Sequence, residues 1–293
     1  MTKSNGEERA ERLRQAIRLK RAARRPEAEI PDLRPPEEPT LLGEMQRSLW
    51  LAHQMDPLSP AYNLSSAFRV RGPLDVDRLQ RALDGVVARH RLLRSTFRPS
   101  GPEVRQVVHP EVPVPIETLQ VENGGSRAAA VREARSPFDL EDGPLVRARL
   151  IEETAGNERL LLLVVHHLPA DERSLGSLWR ERAEDYLGRP GAEPAWQYAD
   201  YVHWRRRSGT SESEGALDYW RRHLEPLPDE LGLPFETHSP ESDAGRGRLL
   251  TRAVETDLRP GLRRLAAAGG ATPFMAYAFA FRLLLHRYAQ GPR

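Results

Sequence analysis

The chain has 293 residues and a mass of 33.2 kDa, with 44 Lys and Arg, 42 Asp and Glu, 9 His and no Cys. Because Cys is absent, disulfides, Cys-ligated zinc, iron–sulfur clusters and a thiol nucleophile are excluded. A formal net charge of +2 is too balanced for a whole-molecule affinity for nucleic acid, and no apolar run approaches the roughly 20 residues that a membrane helix needs.

Residues 1–40 are predicted to form a basic N-terminal arm followed by a Pro-rich linker. Basic residues outnumber acidic ones over residues 1–28, where Leu13 and Ile17 form only a thin apolar stripe, which predicts a marginal helix. Pro31–Pro39 contains 4 prolines, as is typical of a semi-rigid linker. The arm lacks the apolar core of a signal peptide, so we expect a cytoplasmic protein. Two interpretations of the arm stay open, a solvated extension and a helix that docks on a partner protein.

From Leu41 onward, the spacing of apolar residues predicts alternating helices and strands. Asn63–Arg71 alternates apolar and polar side chains like a half-buried strand, whereas Asp75–His90 places its apolar side chains on one helical face, with Asp75 as N-cap. Leu160–His166 is apolar almost throughout, as expected for a central strand covered on both faces. The other predicted elements are a short helix ending at Pro57, strands over Leu93–Arg98 and Val104–Val108, a weak helix over Ala128–Ala134, a strand over Leu145–Ile151 and a helix over Ser174–Leu187.

The region after Gly188 is predicted to be mainly helical. Its segments are an aromatic and basic stretch over Trp196–Arg207, a helix around Leu217–Leu224, a Pro-rich stretch over Pro226–Pro240, a candidate strand over Arg248–Val254 and a helix near Asp257–Ala268. A last helix begins with Thr272 as N-cap and Pro273 at the first helical position. It is rich in Phe, Tyr and Leu with few charges, so we expect it to be buried. The alternation of strands and helices indicates an α/β or α+β chain.

Motifs for several common reactions are missing from the sequence. It contains no Gly-rich phosphate loop ending in GK[ST], no GxGxxG, no GxSxG and no HExxH. Hydride transfer, P-loop phosphoryl transfer and serine-hydrolase chemistry are therefore disfavoured.

The segment most suggestive of chemistry is Val164–Ser174, which holds His166 and His167 at the end of the buried strand. Neighbouring side chains of a strand point to opposite faces, so one imidazole can face a cleft while the other faces the core. A neutral imidazole is the usual general base near neutral pH. Two other interpretations stay open at this point, a structural histidine pair and a metal site. A metal site needs three protein ligands, and the segment offers no clustered ligand beyond the two histidines and Asp171.

This segment resembles the HHxxxDG signature of the condensation domains of non-ribosomal peptide synthetases, which belong to the chloramphenicol-acetyltransferase-like superfamily. Other segments match family motifs in the same order along the chain. They are Glu44–Gln54 for SxAQxRLWFLxQ, Tyr62-Asn63 for YN, Arg89–Phe97 for RHxxLRTxF, Pro137–Leu140 with Gly143–Leu145 for PFDLxxGPLLR, Tyr198–Trp204 for YxDYAxWQ, and Thr272–Phe274 at the start of the matching helix. One HH pair alone would be weak, but ordered matches across most of the chain indicate the family.

The resemblance implies a two-lobed α/β fold with an active-site tunnel between the lobes. Two carrier proteins would deliver substrates tethered to phosphopantetheine, with no cofactor bound directly by the chain itself, and the acceptor amine would attack the donor thioester. On this resemblance His167 is the active-site histidine, acting as base or positioning the amine, and His166 is the inward structural histidine. Asp171 is the structural aspartate, which we expect to pair with Arg94.

Two features depart from the family pattern. Glu172 stands where the family has Gly, and we expect its side chain to restrict the backbone and obstruct the amine. The resemblance covers a first, chloramphenicol-acetyltransferase-like lobe (a mixed sheet flanked by helices) over residues 41–190. It covers only the start of a second lobe over residues 191–293, so we expect the remaining second-lobe strands to be absent from this chain.

The leading hypothesis is a partial condensation domain that forms an amide when its missing lobe is supplied. The cyclising relatives have Asp in place of the first histidine, so the presence of His166 disfavours a heterocyclising activity. Epimerisation-type relatives share the HH signature, and this alternative stays open. A second hypothesis is an inactive docking or scaffold remnant, favoured by Glu172, the missing lobe and the basic arm. A third, RNA or nucleotide binding through Arg205–Arg207 and the basic arm, is disfavoured because Trp204 is the only aromatic residue directly adjacent to these arginines. The expected partners are therefore carrier proteins and adjacent synthetase modules, with no nucleic acid and no membrane.

Overall fold

The computed structural model describes residues 40–154, 159–207, 211–225, 227, 250–253 and 257–289. Of the residues that it describes, those from 40 to 207 lie in one compact unit and those from 211 onward in another. The predicted arm and linker, apart from Thr40, and the Pro-rich stretch Pro226–Pro240, apart from Leu227, lie outside the described residues.

The first unit contains seven strands and five helices among its described residues. The strands are β1 (Thr40–Leu41), β2 (Asn63–Val70), β3 (Ser95–Ser100), β4 (Glu103–Val108), β5 (Ile116–Val121), β6 (Val146–Glu153) and β7 (Arg159–His166). The helices are α1 (Glu44–Met55), α2 (Val76–Arg89), α3 (Ser126–Arg135), α4 (Glu172–Tyr186) and α5 (Tyr198–Arg207), with a 3-10 turn at Arg91–Arg94. This unit includes α5, which lies beyond the predicted lobe boundary at residue 190.

The larger sheet has four strands in the order β2-β7-β6-β5. The β2–β7 and β6–β7 pairs are antiparallel and the β5–β6 pair is parallel, so the sheet is mixed. A smaller antiparallel sheet has the order β1-β4-β3. The predicted α/β class, with a mixed sheet flanked by helices, is confirmed.

Strand β7 lies between β2 and β6 because both of its faces are apolar. Leu161, Leu163 and Val165 pack into a core with α2 and α4, whereas Leu162 and Val164 pack into a second core with Phe97 and Phe138. The alternation follows the two-residue period of a strand. His166, the last residue of β7, follows Leu162 and Val164 at the same two-residue spacing, so it lies on the side of the strand that faces the second core.

Two elements differ from the sequence predictions. Strand β5 was not predicted, although it extends the larger sheet by parallel pairing with β6. The candidate strand over Arg248–Val254 is described only at 250–253, and these residues form no strand.

The second unit contains α6 (Ser211–Leu224), α7 (Arg259–Ala268) and α8 (Pro273–Tyr288). Between α7 and α8, Gly270 has a φ of +63°, which Gly adopts without the steric cost of a Cβ. The side chain of Thr272 accepts the backbone N–H of Met275 at 3.3 Å, which confirms the predicted N-cap.

The prediction that α8 is buried is wrong for the described residues. None of its residues is buried, and Phe274 and Phe281 are 78% and 61% exposed. Among the described helices, α7 packs against α8, and this contact leaves the α8 side chains exposed. No single described helix is long and apolar enough to cross a membrane; α7 and α8 meet that test only as a pair, which is bent by 100°.

Candidate active site

His166 ends β7 inside the protein. It is 2% exposed, and its ring centroid lies 5.6 Å from that of His53, 6.5 Å from Tyr62 and 6.1 Å from Phe138. Burial lowers the pKa of His166 to about 4, with smaller contributions from the charges of His53 and His167. The imidazole is therefore neutral near pH 7.

His53 on α1 forms the other half of this buried histidine pair. It is 7% exposed, and its ring meets that of His166 edge to face at an interplanar angle of 85°. Burial lowers the pKa of His53, opposed by the negative charges of Asp139 and Asp56. Burial therefore favours the neutral form of both imidazoles.

His167 lies in the turn that follows the C-terminal end of β7, a central strand of the sheet. Its side chain is half-buried, and its backbone N–H donates to the carbonyl of Tyr62 at 2.7 Å. The next N–H, that of Leu168, donates to Nδ1 of His166 at 3.1 Å, so the proton of the neutral His166 ring resides on Nε2. The carbonyl of Leu168 accepts from Nε2 of Gln46 at 3.1 Å. The backbone on both sides of His167 is thus held by hydrogen bonds.

The predicted ion pair between Asp171 and Arg94 is wrong. Asp171 is the N-cap of α4, where its Oδ1 accepts the backbone N–H of Ser174 at 2.7 Å and its hydroxyl at 2.6 Å. The bond from the Ser174 hydroxyl is the main reason that the pKa of this carboxyl is lowered. Arg94 donates instead to the backbone carbonyl of His109, and burial lowers the pKa of its guanidinium. Each side chain satisfies a nearby backbone group instead of reaching across to the other.

Glu172 is the first residue of α4 and is exposed. No non-Gly residue among those described has a positive φ, so the position after Asp171 does not require the conformational freedom of Gly in this structure. A carboxylate in the first helical turn also interacts favourably with the helix dipole. The expected restriction of the backbone is therefore not found, while obstruction of an amine stays a prediction.

The side chains of Asn63, in a quoted motif segment, and of Arg147, just after another, hold the backbone near His166. Nδ2 of Asn63 donates to the carbonyls of Ala134 and Ser136 at 2.8 and 2.7 Å. The guanidinium of Arg147 lies 3.8 Å from the centre of the Phe138 ring and donates to the carbonyl of Pro137 at 2.8 Å. These bonds fix the segment that places Phe138 against His166.

The residues that sequence reasoning did not assign to the site are Gln46, His53, Tyr62 and Phe138. Each falls within a segment quoted above for its resemblance to a family motif, and that was the available signal. Periodicity could not reveal their convergence, because it depends on contacts between residues far apart in the chain.

A cavity of about 390 Å³ begins where this turn enters α4. Its lining includes Pro169, Asp171 and Trp196, together with His90 and Glu181, whose Nε2 and Oε2 are 2.8 Å apart. Within the part of the chain that the structure describes, no group of three or more His, Asp or Glu is arranged to hold a metal ion.

Comparison with known proteins gives consistent matches. The family model described as "Condensation domain" matches residues 37–293. The chain is 37% identical over 262 residues to chondramide synthase cmdD of Chondromyces crocatus, covering 85% of this chain and 7% of that protein. It is 34% identical over 282 residues to phosphinothricin tripeptide synthetase PhsC of Streptomyces viridochromogenes, covering 92% of this chain and 26% of that protein.

Solved structures match with similar coverage. The X-domain from teicoplanin biosynthesis superimposes with a TM-score of 0.75 at 29% identity, covering 89% of this chain and 60% of that one. The condensation domain from the Monacolin K polyketide synthase MokA gives 0.71 at 19% identity, a likeness of fold alone, with 86% and 60% covered. The chain thus spans less than two thirds of these relatives.

Proposed function

The chain belongs to the condensation-domain family, and on that premise we propose that it carries the histidine motif of an amide-forming acyltransferase in non-ribosomal peptide synthesis. The donor is an acyl or peptidyl thioester and the acceptor is an aminoacyl amine, each tethered through phosphopantetheine to a carrier protein. The amine attacks the thioester carbonyl, a C–N bond forms, the C–S bond breaks, and the amine gives up one proton to the departing sulfur, which leaves as a thiol. The chain binds no cofactor of its own in this scheme.

The observation that carries the proposal is the difference between the environments of His166 and His167. His166 is enclosed by three aromatic rings and uses Nδ1 for a backbone bond, so it is not available to a substrate. His167 follows it at the strand end with a half-buried side chain and a fixed backbone. An imidazole placed in this way can accept a proton from the amine or hold the amine in position.

The test is reconstitution with loaded donor and acceptor carriers and detection of the product by intact mass. We expect product from the wild-type chain supplied with a second chain that carries the remaining segments of the relatives' fold. His167→Ala should reduce product formation at least about a hundredfold, since general acid–base catalysis contributes about 10²–10⁴-fold. Equal product from His167→Ala would contradict the assignment.

The control is His109→Ala, because His109 lies at the end of β4 and its Nε2 is bonded to Oγ1 of Thr96 at 2.9 Å. This variant should retain product formation. A wild-type chain that yields no product with any carrier pair would contradict the proposed reaction, and inversion of a carrier-bound residue without amide formation would indicate an epimerisation-type activity instead.

A further inference from the structure

Gln46 connects helix α1 to the turn that bears His167. It is 4% exposed, and both ends of its side-chain amide are in use. Oε1 accepts the backbone N–H of Gly43 at 3.1 Å, and Nε2 donates to the carbonyl of Leu168 at 3.1 Å, across 122 positions of sequence. One buried side chain therefore fixes the start of α1 and the residue after His167 together.

The peptide groups around His167 have three hydrogen-bonding partners. Tyr62 accepts the N–H of His167, His166 accepts the N–H of Leu168, and Gln46 donates to the carbonyl of Leu168. The first two partners lie on the turn before β2 and on β7 itself. Gln46 contributes the link from a separate helix, and it holds the carbonyl of the Leu168–Pro169 peptide, one residue beyond His167.

The polarity of the amide matters at this position. A carbonyl oxygen needs a donor, and an oxygen placed opposite it in a buried site leaves both groups without a partner. Glu has the shape of Gln and keeps an acceptor for Gly43, but it presents an oxygen where Gln46 presents an N–H. With its carboxylate ionised, Gln46→Glu therefore removes one specific bond while preserving the volume of the side chain, and Gln46→Met removes the same bond at any pH.

We infer that Gln46 is a positioning residue for His167, acting through the backbone of Leu168. The inference rests on the proposed function for its kinetic consequence only, because the arrangement of the turn can be measured without any substrate. It predicts that loss of the Nε2 bond lets the turn move and lowers kcat, while the affinity for the carriers is kept, because the change is confined to buried groups.

The chain offers a matched control in Gln80 on α2. Its Nε2 donates to the carbonyl of Val114 at 3.0 Å and its Oε1 accepts the N–H of Ile116 at 2.7 Å. Gln80 thus bridges two backbone groups as Gln46 does, but it ties α2 to the start of β5. The same Nε2 also donates to Oδ1 of Asp84 at 2.8 Å, so Gln80→Glu removes a donor away from the histidine turn and adds repulsion from Asp84, which makes it the more severe structural change of the two.

The experiment compares Gln46→Glu, Gln46→Met and Gln80→Glu in the full chain. In the reconstituted reaction we expect kcat to fall at least about tenfold for both Gln46 variants with KM for the carriers within about twofold, and Gln80→Glu to stay within about twofold of wild type in kcat. Equal kcat losses for Gln46→Glu and Gln80→Glu would show a general structural effect and overturn the inference. Gln46→Met keeps the test valid if a buried carboxylate prevents folding.

A second readout is independent of turnover. Nuclear magnetic resonance of the chain with ¹⁵N-labelled histidine reports the ring signals of His166 and His167, and amide exchange reports the N–H of Leu168. We expect these signals to shift, and exchange at Leu168 to accelerate at least about tenfold, in the Gln46 variants but not in Gln80→Glu. Unchanged signals would overturn the inference even if the reaction proceeds. Changed signals in a chain that forms no product would support it and contradict only the proposed function.

Discussion

A buried neutral histidine couples the stability of the protein to pH. The pKa of His166 is lowered from 6.5 to about 4, mainly by burial. Between these two values the unfolded chain binds a proton at this position that the folded chain does not, so stability falls as pH falls from 6.5 towards 4. Above pH 6.5 neither state is protonated there and the contribution is constant.

We predict that this residue accounts for about 3 kcal/mol of the stability lost by pH 4, at about 1.4 kcal/mol for each pKa unit. His166→Asn keeps an acceptor for the N–H of Leu168 but does not titrate, so its free energy of unfolding should vary less with pH. Urea unfolding followed by tryptophan fluorescence from pH 7 to pH 4 measures the difference. Parallel curves for the two proteins would show that folding does not lower the pKa of His166.

At the residue scale, the sequence predicted the placement of the two histidines but not how the side chains around them are bonded. The strand period and the apolar run predicted that one of two adjacent histidines faces the core. The absence of an ion pair between Asp171 and Arg94 was not predictable from sequence, because it depends on competition from local hydrogen-bonding partners. Asp171 meets two donors on Ser174 within its own helix start, and Arg94 meets the carbonyl of His109.

At the scale of elements, α2 and α4 are joined by a cluster of charged side chains. Arg89 donates to Asp185 at 2.8 Å and lies 3.4 Å from Glu181, which also meets His90 at 2.8 Å. Asp185 and Arg89 have side chains only 6% and 12% exposed, so this pair is more strongly coupled than a surface ion pair. The cluster holds α4, and hence the cap at Asp171, against the rest of the core.

Substitutions of two helical glycines test the contact between Asp185 on α4 and helix α2. A Cβ on Gly85 would lie 2.9 Å from Oδ2 of Asp185, whereas a Cβ on Gly176 would meet nothing within 4 Å. Gly176→Ala should raise the free energy of unfolding by about 0.5–1 kcal/mol, the usual gain in helix propensity. Gly85→Ala should lower it by about 1 kcal/mol, because displacing the carboxylate weakens a partly buried charged bond.

Chemical denaturation of Gly85→Ala and Gly176→Ala measures both changes in the free energy of unfolding. In an Asp185→Ala background the carboxylate is absent, so Gly85→Ala should then stabilise the chain about as much as Gly176→Ala does. A Gly85→Ala variant that is more stable than wild type in the original background would contradict the proposed coupling of α2 to α4.

Sequence periodicity identified most elements of the first unit for a physical reason. Strand β7 and helix α2 bury continuous apolar faces, and such faces leave a strong period in the sequence. Strand β5 was missed because it lies at the edge of its sheet and buries only Ile116 fully, so its alternation is weak. The N-caps at Asp75 and Thr272 were predicted because capping is a local interaction.

At the scale of the whole molecule, composition predicted that α8 is apolar but not whether another surface covers it. Monomeric proteins seldom expose apolar patches larger than a few hundred Å². In α8, Phe274, Phe281 and Leu284 are 78%, 61% and 49% exposed. Burying such side chains is favourable by about 25 cal/mol per Å², so the described helix presents a surface with a strong tendency to associate.

We therefore predict that the 293-residue chain self-associates in solution and that α8 drives the association. A Phe274→Asp, Phe281→Asp variant should shift the sedimentation-velocity distribution towards monomer across a concentration series, because each carboxylate would have to be desolvated at the interface. The control is Leu58→Asp, which changes a side chain that is 76% exposed but lies outside α8 and should leave the distribution unchanged. A wild-type chain that is monomeric throughout the series, or two variants with the same effect, would contradict the prediction. Addition of a chain that supplies the relatives' remaining segments should compete with self-association, since both processes would cover the same apolar side chains.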